Sequence, residues 1–136
     1  MARRKDGVET RDRILAVARE VFAEKGYHEA TVEDICSRAA SNIAAINYHF
    51  GSKEELYAQV WRRAFDEANE AYPAEGGLGP DAPAEDRLRG AIRSLVGKVA
   101  DRGRIGHAGR LVLREMMNPT EVIEHVKNDA LRPMQE

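Results

Sequence analysis

The stretch Thr31-Val32-Glu33-Asp34-Ile35-Cys36-Ser37-Arg38-Ala39-Ala40-Ser41-Asn42-Ile43-Ala44-Ala45-Ile46-Asn47-Tyr48-His49-Phe50-Gly51-Ser52-Lys53-Glu54-Glu55 contains three helix starts within 25 residues. Thr31 is a good N-cap, since its hydroxyl can accept from a free amide of the first turn, and Asp34 stands three residues on, as in a capping box. The helix it opens is short and ends near Ala40. Ser41-Asn42 is a second cap signal and predicts a two-turn helix from Ile43 to His49. At 100° per residue, Ile46 and Phe50 share one side of that helix with Ile43 at its margin, while Ala44, Ala45, Tyr48 and His49 face away. Two alanines, an aromatic and a histidine make neither a core nor an ordinary charged surface. Gly51 breaks the helix, and Ser52-Lys53-Glu54-Glu55 is a full capping box for the next.

Working outward, the chain is helical in both directions. A first helix is predicted from about Glu9 to Lys25 on the stripe Ile14, Leu15, Ala18, Val21 and Phe22, with Gly26 as its stop. Arg3, Arg4 and Lys5 form a basic arm ahead of it. The helix opened by Ser52 runs to about Tyr72 on Leu56, Val60, Ala64 and Ala68, with Trp61 and Phe65 alongside. Pro73 to Pro83 is a loop with three prolines and three glycines. Beyond it come a long amphipathic helix over 84–102 (Leu88, Ile92, Leu95, Val96, Val99), another over 105–117, and a last segment capped by Thr120 that carries Val122, Ile123, Val126 and Leu131, with Pro133 near its end. No stretch alternates with period two, so the fold class is all-α: a three-helix unit with a helix-turn-helix over 1–55, joined by the fourth helix to a helical part over 56–136.

Composition bounds the function. At 136 residues, 43% apolar and 32% charged, the chain can bury a core, and no apolar run is long enough to span a bilayer or act as a signal peptide, which predicts a cytoplasmic protein. One cysteine, Cys36, excludes an intramolecular disulfide and a Cys-rich zinc site. The net charge of −2 does not by itself suggest a nucleic-acid partner. Neither half is basic: residues 1–60 hold 9 Lys/Arg against 10 Asp/Glu.

The wording of the motif points elsewhere. Arg13-Ile14-Leu15, Val21-Phe22-Ala23-Glu24-Lys25-Gly26-Tyr27, Ala30-Thr31-Val32-Glu33-Asp34-Ile35 and Asn47-Tyr48-His49-Phe50-Gly51-Ser52-Lys53-Glu54-Glu55-Leu56-Tyr57 together resemble the N-terminal domain of the TetR/AcrR family of bacterial transcriptional repressors, over about residues 9–60. Gly109-Arg110-Leu111, Arg114-Glu115-Met116, Asn118-Pro119-Thr120 and Leu131-Arg132-Pro133 resemble the ligand-binding domain of its CerR/CecR-type branch. The resemblance implies a homodimer whose third helices enter successive major grooves of a palindromic double-stranded operator, and a small-molecule inducer that changes their separation. It also implies further helices after Glu136, so the regulatory and dimerisation domain is expected to be incomplete here and to expose Leu111, Val112, Ile123 and Val126. Two departures stand out. Ala40 replaces the family's usual turn glycine, at a cost of about 1 kcal/mol if positive φ is needed, and Asn47 replaces an aromatic.

The expected DNA-binding residues are Thr31, Ser41, Asn42, Ile43, Ala44, Ala45, Asn47, Tyr48, His49 and Lys53. Small Ala44 and Ala45 allow close approach to base edges. Asn47 can bond a base or a phosphate, while Tyr48, His49, Thr31 and Lys53 hold phosphates. An inducer pocket is expected between the fourth helix and the helices after Pro83, with Trp61, Phe65, Leu95, His107, Arg110, Leu111, Arg114 and Met117 as its candidate residues. The commoner fates weigh against some of these: core for Trp61 and the methionines, ion pairs with Glu115 or Glu121 for the arginines. Cys36 is expected in the core, and Glu121, His125 and Asp129 on an exposed face rather than around a metal. No cofactor is implied. A nucleophile with its base is missing, so catalysis is not expected. The alternative is a helical architectural or interaction protein that attaches to DNA without sensing a ligand.

Overall fold

The computed structural model describes the backbone of residues 2–132 and side chains over 7–132. Seven α-helices follow one another: α1 (Ala2–Glu29), α2 (Val32–Ala39), α3 (Ile43–Phe50), α4 (Lys53–Ala71), α5 (Ala84–Ala100), α6 (Arg104–Met117) and α7 (Glu124–Leu131), with a 3-10 turn at Ala74–Gly77. No described helix is long and apolar enough to cross a membrane. The first helix starts earlier than its apolar stripe suggests. Ala, Arg and Lys are strong helix formers and outweigh the single Gly7, so the backbone of the expected arm is helical from Ala2. The side chains of Arg3, Arg4 and Lys5, and all of Pro133, lie outside the described residues.

Local signals set most boundaries. Gly26 breaks α1 with φ 78°, and one more turn carries the chain to Glu29. The hydroxyl of Thr31 accepts from the Asp34 amide at 3.0 Å, Asn42 Oδ1 from the Ala45 amide at 2.8 Å, and Ser52 Oγ from the Glu55 amide at 3.1 Å. Asp34 in turn pairs with Lys25 at 2.8 Å. Hydrogen bonds from Lys25 and then Thr31 hold its carboxyl below the usual range. Ala40, the C-cap of α2, sits in the left-handed region at φ 50°, ψ 48°, which a glycine would occupy without strain.

One continuous core joins the N-terminal helices to α6 and α7. Ile14, Ala18, Val21 and Phe22 of α1, Ile35 and Ala39 of α2, and Ile46 and Phe50 of α3 pack on Leu56, Tyr57, Val60 and Trp61 of α4. Its far side reaches Ala108 and Leu111 of α6, Ile123 and Ala130. The expectation that Leu111 and Ile123 are exposed is therefore overturned: both are fully buried, because α6 and α7 pack against α4. The expected stripe of α5 fails in the opposite sense. Leu88, Ile92, Leu95 and Val96 are about half exposed or more, and Ser94 is the buried residue of that helix. The helix attaches through small residues instead. Gly90 meets the backbone of the 3-10 turn, Ser94 donates to the Tyr72 carbonyl at 2.7 Å, and Gly97 lies where a Cβ would come within 2.4 Å of the Tyr72 ring.

A buried charge closes the far end of the core. Glu115, 1% exposed, accepts from the Tyr57 hydroxyl at 2.5 Å, from the Thr120 amide and hydroxyl at 2.8 Å each, and from Lys127 Nζ at 3.0 Å. This is why Thr120 does not cap the last helix, as its sequence position suggests. Its amide and hydroxyl hold it on Glu115, three residues ahead of the N-cap position Ile123, and α7 begins only at Glu124. Burial alone would raise the Glu115 carboxyl, but donation from Tyr57, Thr120 and Lys127 outweighs it and sets it below the usual range.

Two stability effects follow. A carboxyl depressed by folding contributes stability that is full above its unfolded value of about 4.3 and is lost as pH falls through the lower folded value. Glu115→Gln leaves the buried Lys127 ammonium without a counter-charge, so urea melts at pH 7 should show a loss of about 3–5 kcal/mol. At pH 3 the gap to wild type should shrink. Ala40→Gly relieves the left-handed backbone at an exposed position, and should raise stability by about 0.5–1 kcal/mol in the same assay.

Candidate nucleic-acid interface

Two short helices with a tight turn set the candidate surface. The α2–α3 turn is closed by the Ser41 amide on the Cys36 carbonyl at 3.0 Å, and its position is fixed from outside by Arg13 Nε on the Ala39 carbonyl at 2.6 Å. Behind α3, Ile46 and Phe50 are buried, with Arg11 over the Phe50 ring at 5.2 Å and donating to Gln59 at 2.5 Å. The helix is held by its inner face, so its outer face is presented on a rigid support.

On that outer face Tyr48 is 85% and Ile43 50% exposed, and Ala44 and Asn47 are exposed beside them. Ala45 and His49 are only half-buried: Ala45 packs against the core and His49 lies edge-on to Tyr48 at 4.9 Å. Asn42 is exposed, but its side-chain oxygen is committed to the cap of α3. Its amide nitrogen is the group left to donate outward. Thr31 is exposed at the start of α2 and Ser41 half-buried in the turn. The face therefore brings Ile43, Ala44, Asn47 and Tyr48 together as one strip, flanked by the N-termini of α2 and α4.

Lys53, the first residue of α4, is the flanking cation. Its ammonium lies 4.3 Å over the ring of Tyr27, and the Tyr27 ring in turn lies 5.0 Å from that of Tyr57. Phe22 meets Tyr57 edge-on at 4.9 Å. Partial burial lowers the Lys53 pKa, an effect that Glu33 opposes. Other nearby cations are engaged: Lys25 by Asp34, and Arg38 by Glu24 at 3.2 Å. The aromatic support under Lys53 was not anticipated from the sequence, although Tyr27 and Tyr57 follow a helix stop and a cap by fixed spacings.

The residues expected around an inducer are scattered. Trp61 is fully buried and stacks on half-buried Phe65 at 5.3 Å, and Leu111 is fully buried in the same core. Leu95 (49%) and Met117 (70%) are exposed. His107 belongs to a different cleft of about 510 Å³ between α1, α4 and the start of α6, which Arg19, Arg63 and Arg104 also line. Arg110 donates to the carbonyls of Val99 and Asp101, and Arg114 to that of Glu24, instead of pairing with Glu115 or Glu121. One feature of the core is unusual. The indole N–H of Trp61 is buried without an acceptor among the described residues. Cys36, as expected, is a buried free thiol whose pKa burial raises.

Comparison with known proteins covers both parts of the chain. Residues 14–60 match the family of bacterial regulatory proteins described as tetR, and residues 84–136 match the C-terminal domain of the HTH-type transcriptional dual regulator CecR. CecR of Shigella flexneri is 29% identical over 94% of this chain and 60% of its own length. The HTH-type transcriptional activator FasR of Mycolicibacterium smegmatis is 35% identical over 64% of this chain and 39% of its own. A crystal structure of a transcriptional regulator from Saccharomonospora viridis in complex with choline aligns with a TM-score of 0.64 at 29% identity, covering 93% of this chain and 64% of that one. The chain thus spans 60% or less of the length of these two curated relatives.

Proposed function

Because the chain belongs to the tetR family of bacterial regulatory proteins, with a C-terminal part of the CecR type, we propose that it is a ligand-responsive transcriptional regulator that binds double-stranded DNA through α3. The observation that carries this reading is the exposed strip Ile43, Ala44, Asn47 and Tyr48 on a capped, two-turn helix whose other face is locked into the core. A strip of small, apolar and amide side chains matches a major-groove edge, where thymine methyls and base acceptors lie side by side. Thr31, the free amides of α2, Tyr48, His49 and Lys53 supply phosphate contacts that fix the register.

One two-turn helix reads few base pairs. Specific binding therefore requires two copies about 34–36 Å apart on a near-palindromic operator, and the active species is a homodimer. Residues 1–55 serve as the DNA-reading part and residues 56–136 as the regulatory part. Repression follows where the operator overlaps a promoter, and cytoplasmic residence follows from the location of bacterial DNA. Ligand response is supported by Trp61, whose buried N–H has no acceptor among the described residues beside the stacked Phe65 ring, and by the choline complex of the Saccharomonospora viridis regulator. A molecule with an apolar or cationic body and one acceptor oxygen would satisfy that N–H.

Two outcomes are expected. Tyr48→Phe and Lys53→Ala should weaken binding to every duplex sequence tested by fluorescence anisotropy. Lys53→Ala should also reduce the slope of log affinity against log salt by about one per bound chain; unchanged binding in both variants sinks the DNA assignment. Since Trp61 is the single tryptophan, its emission reports its own surroundings. Compounds of the stated class that change this emission should also release DNA, and a library that does neither leaves the architectural reading in place of the sensing one.

A further inference from the structure

Two consecutive residues of α6 grip the support of the DNA-flanking lysine from both sides. Arg114 Nη2 donates to the Glu24 carbonyl at 3.0 Å, and the guanidinium lies against Gly26, where a Cβ would come within 3.1 Å of Nη1. That contact holds the turn that carries Tyr27. Next to it, the Glu115 carboxylate holds the Tyr57 hydroxyl at 2.5 Å. Tyr27 and Tyr57 lie 5.0 Å apart, and the Lys53 ammonium rests 4.3 Å over Tyr27. Glu115 is fixed in its turn by Thr120 and Lys127, at the joint between α6 and α7.

We propose that α6 positions Lys53 for the phosphate backbone, Arg114 by anchoring the Gly26–Tyr27 turn and Glu115 by anchoring Tyr57, so that the placement of α6 sets one DNA contact without touching α3. The inference rests on the reading of Lys53 as a phosphate contact and deepens it. A cation held over a ring face has a restricted range of positions, and the range is only as narrow as the ring is fixed. Here both rings are fixed by residues of the regulatory part. A shift of α6 relative to α1 and α4 loosens the platform, and the lysine then pays more entropy to reach a phosphate. Arg114 and Glu115 are thus positioning residues, well removed from the α3 strip in sequence and joined to its support through α1 and α4.

The test uses the 136-residue chain and a labelled duplex of random sequence, with affinity measured between 50 and 200 mM salt (a range of roughly fourfold, over which each phosphate contact is resolved as slope). Arg114→Ala and Tyr57→Phe are each expected to reduce the slope by about one per bound chain, as Lys53→Ala does. Combined with Lys53→Ala they should add nothing further, which a merely destabilising change would not reproduce. Arg114→Lys, with a donor still able to reach the Glu24 carbonyl, should restore the slope that Arg114→Ala loses. Thermal melts check folding. Arg114 is exposed, so its variants carry the test if Tyr57→Phe does not fold. A folded Arg114→Ala protein with the wild-type slope, alongside a reduced slope in Lys53→Ala, overturns the positioning role and leaves the DNA reading standing. An unchanged slope in Lys53→Ala removes both the lysine contact and its positioning, while DNA binding through α3 survives. Absence of duplex binding by the wild-type chain overturns both.

Discussion

A carboxylate that is 1% exposed can stay charged only if the protein replaces the water it has lost, and at Glu115 four donor groups do so. Those donors come from α4, from the loop after α6 and from α7. Three segments that would otherwise meet only through apolar contact must therefore meet in one geometry. Apolar packing between Trp61, Leu111 and Ile123 tolerates small slips, whereas a hydroxyl at 2.5 Å from a carboxylate does not. The charged cluster is costly as a source of stability and effective as a source of register. It holds Tyr57, Thr120 and Lys127 on one carboxylate.

What could be read from the sequence was what depends on neighbours in the chain. Thr31, Asn42 and Ser52 cap their helices because a cap needs only its own next three residues, and Gly26 and Gly51 stop helices for equally local reasons. Ile46 and Phe50 were assigned inward correctly by helical period alone. The partners of charged residues were not legible. Arg114 bonds a carbonyl 90 residues away, and Lys127 and Glu115 meet across a turn. A signal existed all the same: Glu115 falls four residues after Leu111, and Lys127 four after Ile123, each inside an apolar stripe. A charge in such a stripe marks a buried pair. The reading of α5 failed because periodicity identifies an apolar face but not whether another element covers it; Gly90, Ser94 and Gly97 form the closer-fitting face.

The candidate interface is legible to a similar depth. Period placed Ala44, Ala45, Tyr48 and His49 outward, of which Ala44 and Tyr48 are exposed, and the spacing from Ser52 placed Lys53 in the first turn of α4. Half-burial of Ala45 and His49 depends on how closely α3 sits on its support, which no pattern within eight residues can specify. The dispersal of the expected inducer residues has the same origin. Leu95, Leu111 and Met117 each lie at a plausible helical position, but the relative rotation of α5, α4 and α6 decides which of them face one another.

Net charge then becomes informative in a different way. A chain of net charge −2 gains little from long-range attraction to DNA, and Lys25 and Arg38 near the interface are already paired with Asp34 and Glu24. Where general attraction is weak, each correctly placed contact carries a larger share of the affinity. Under that condition the position of a single lysine is a sensitive control point, and a basic surface would blunt it by adding contacts that do not depend on its position. On the proposed reading, the pairing of Lys25 and Arg38 and the aromatic platform under Lys53 act together: the first lowers the part of the attraction that any position would supply, and the second ties the lysine contact to the packing of α6.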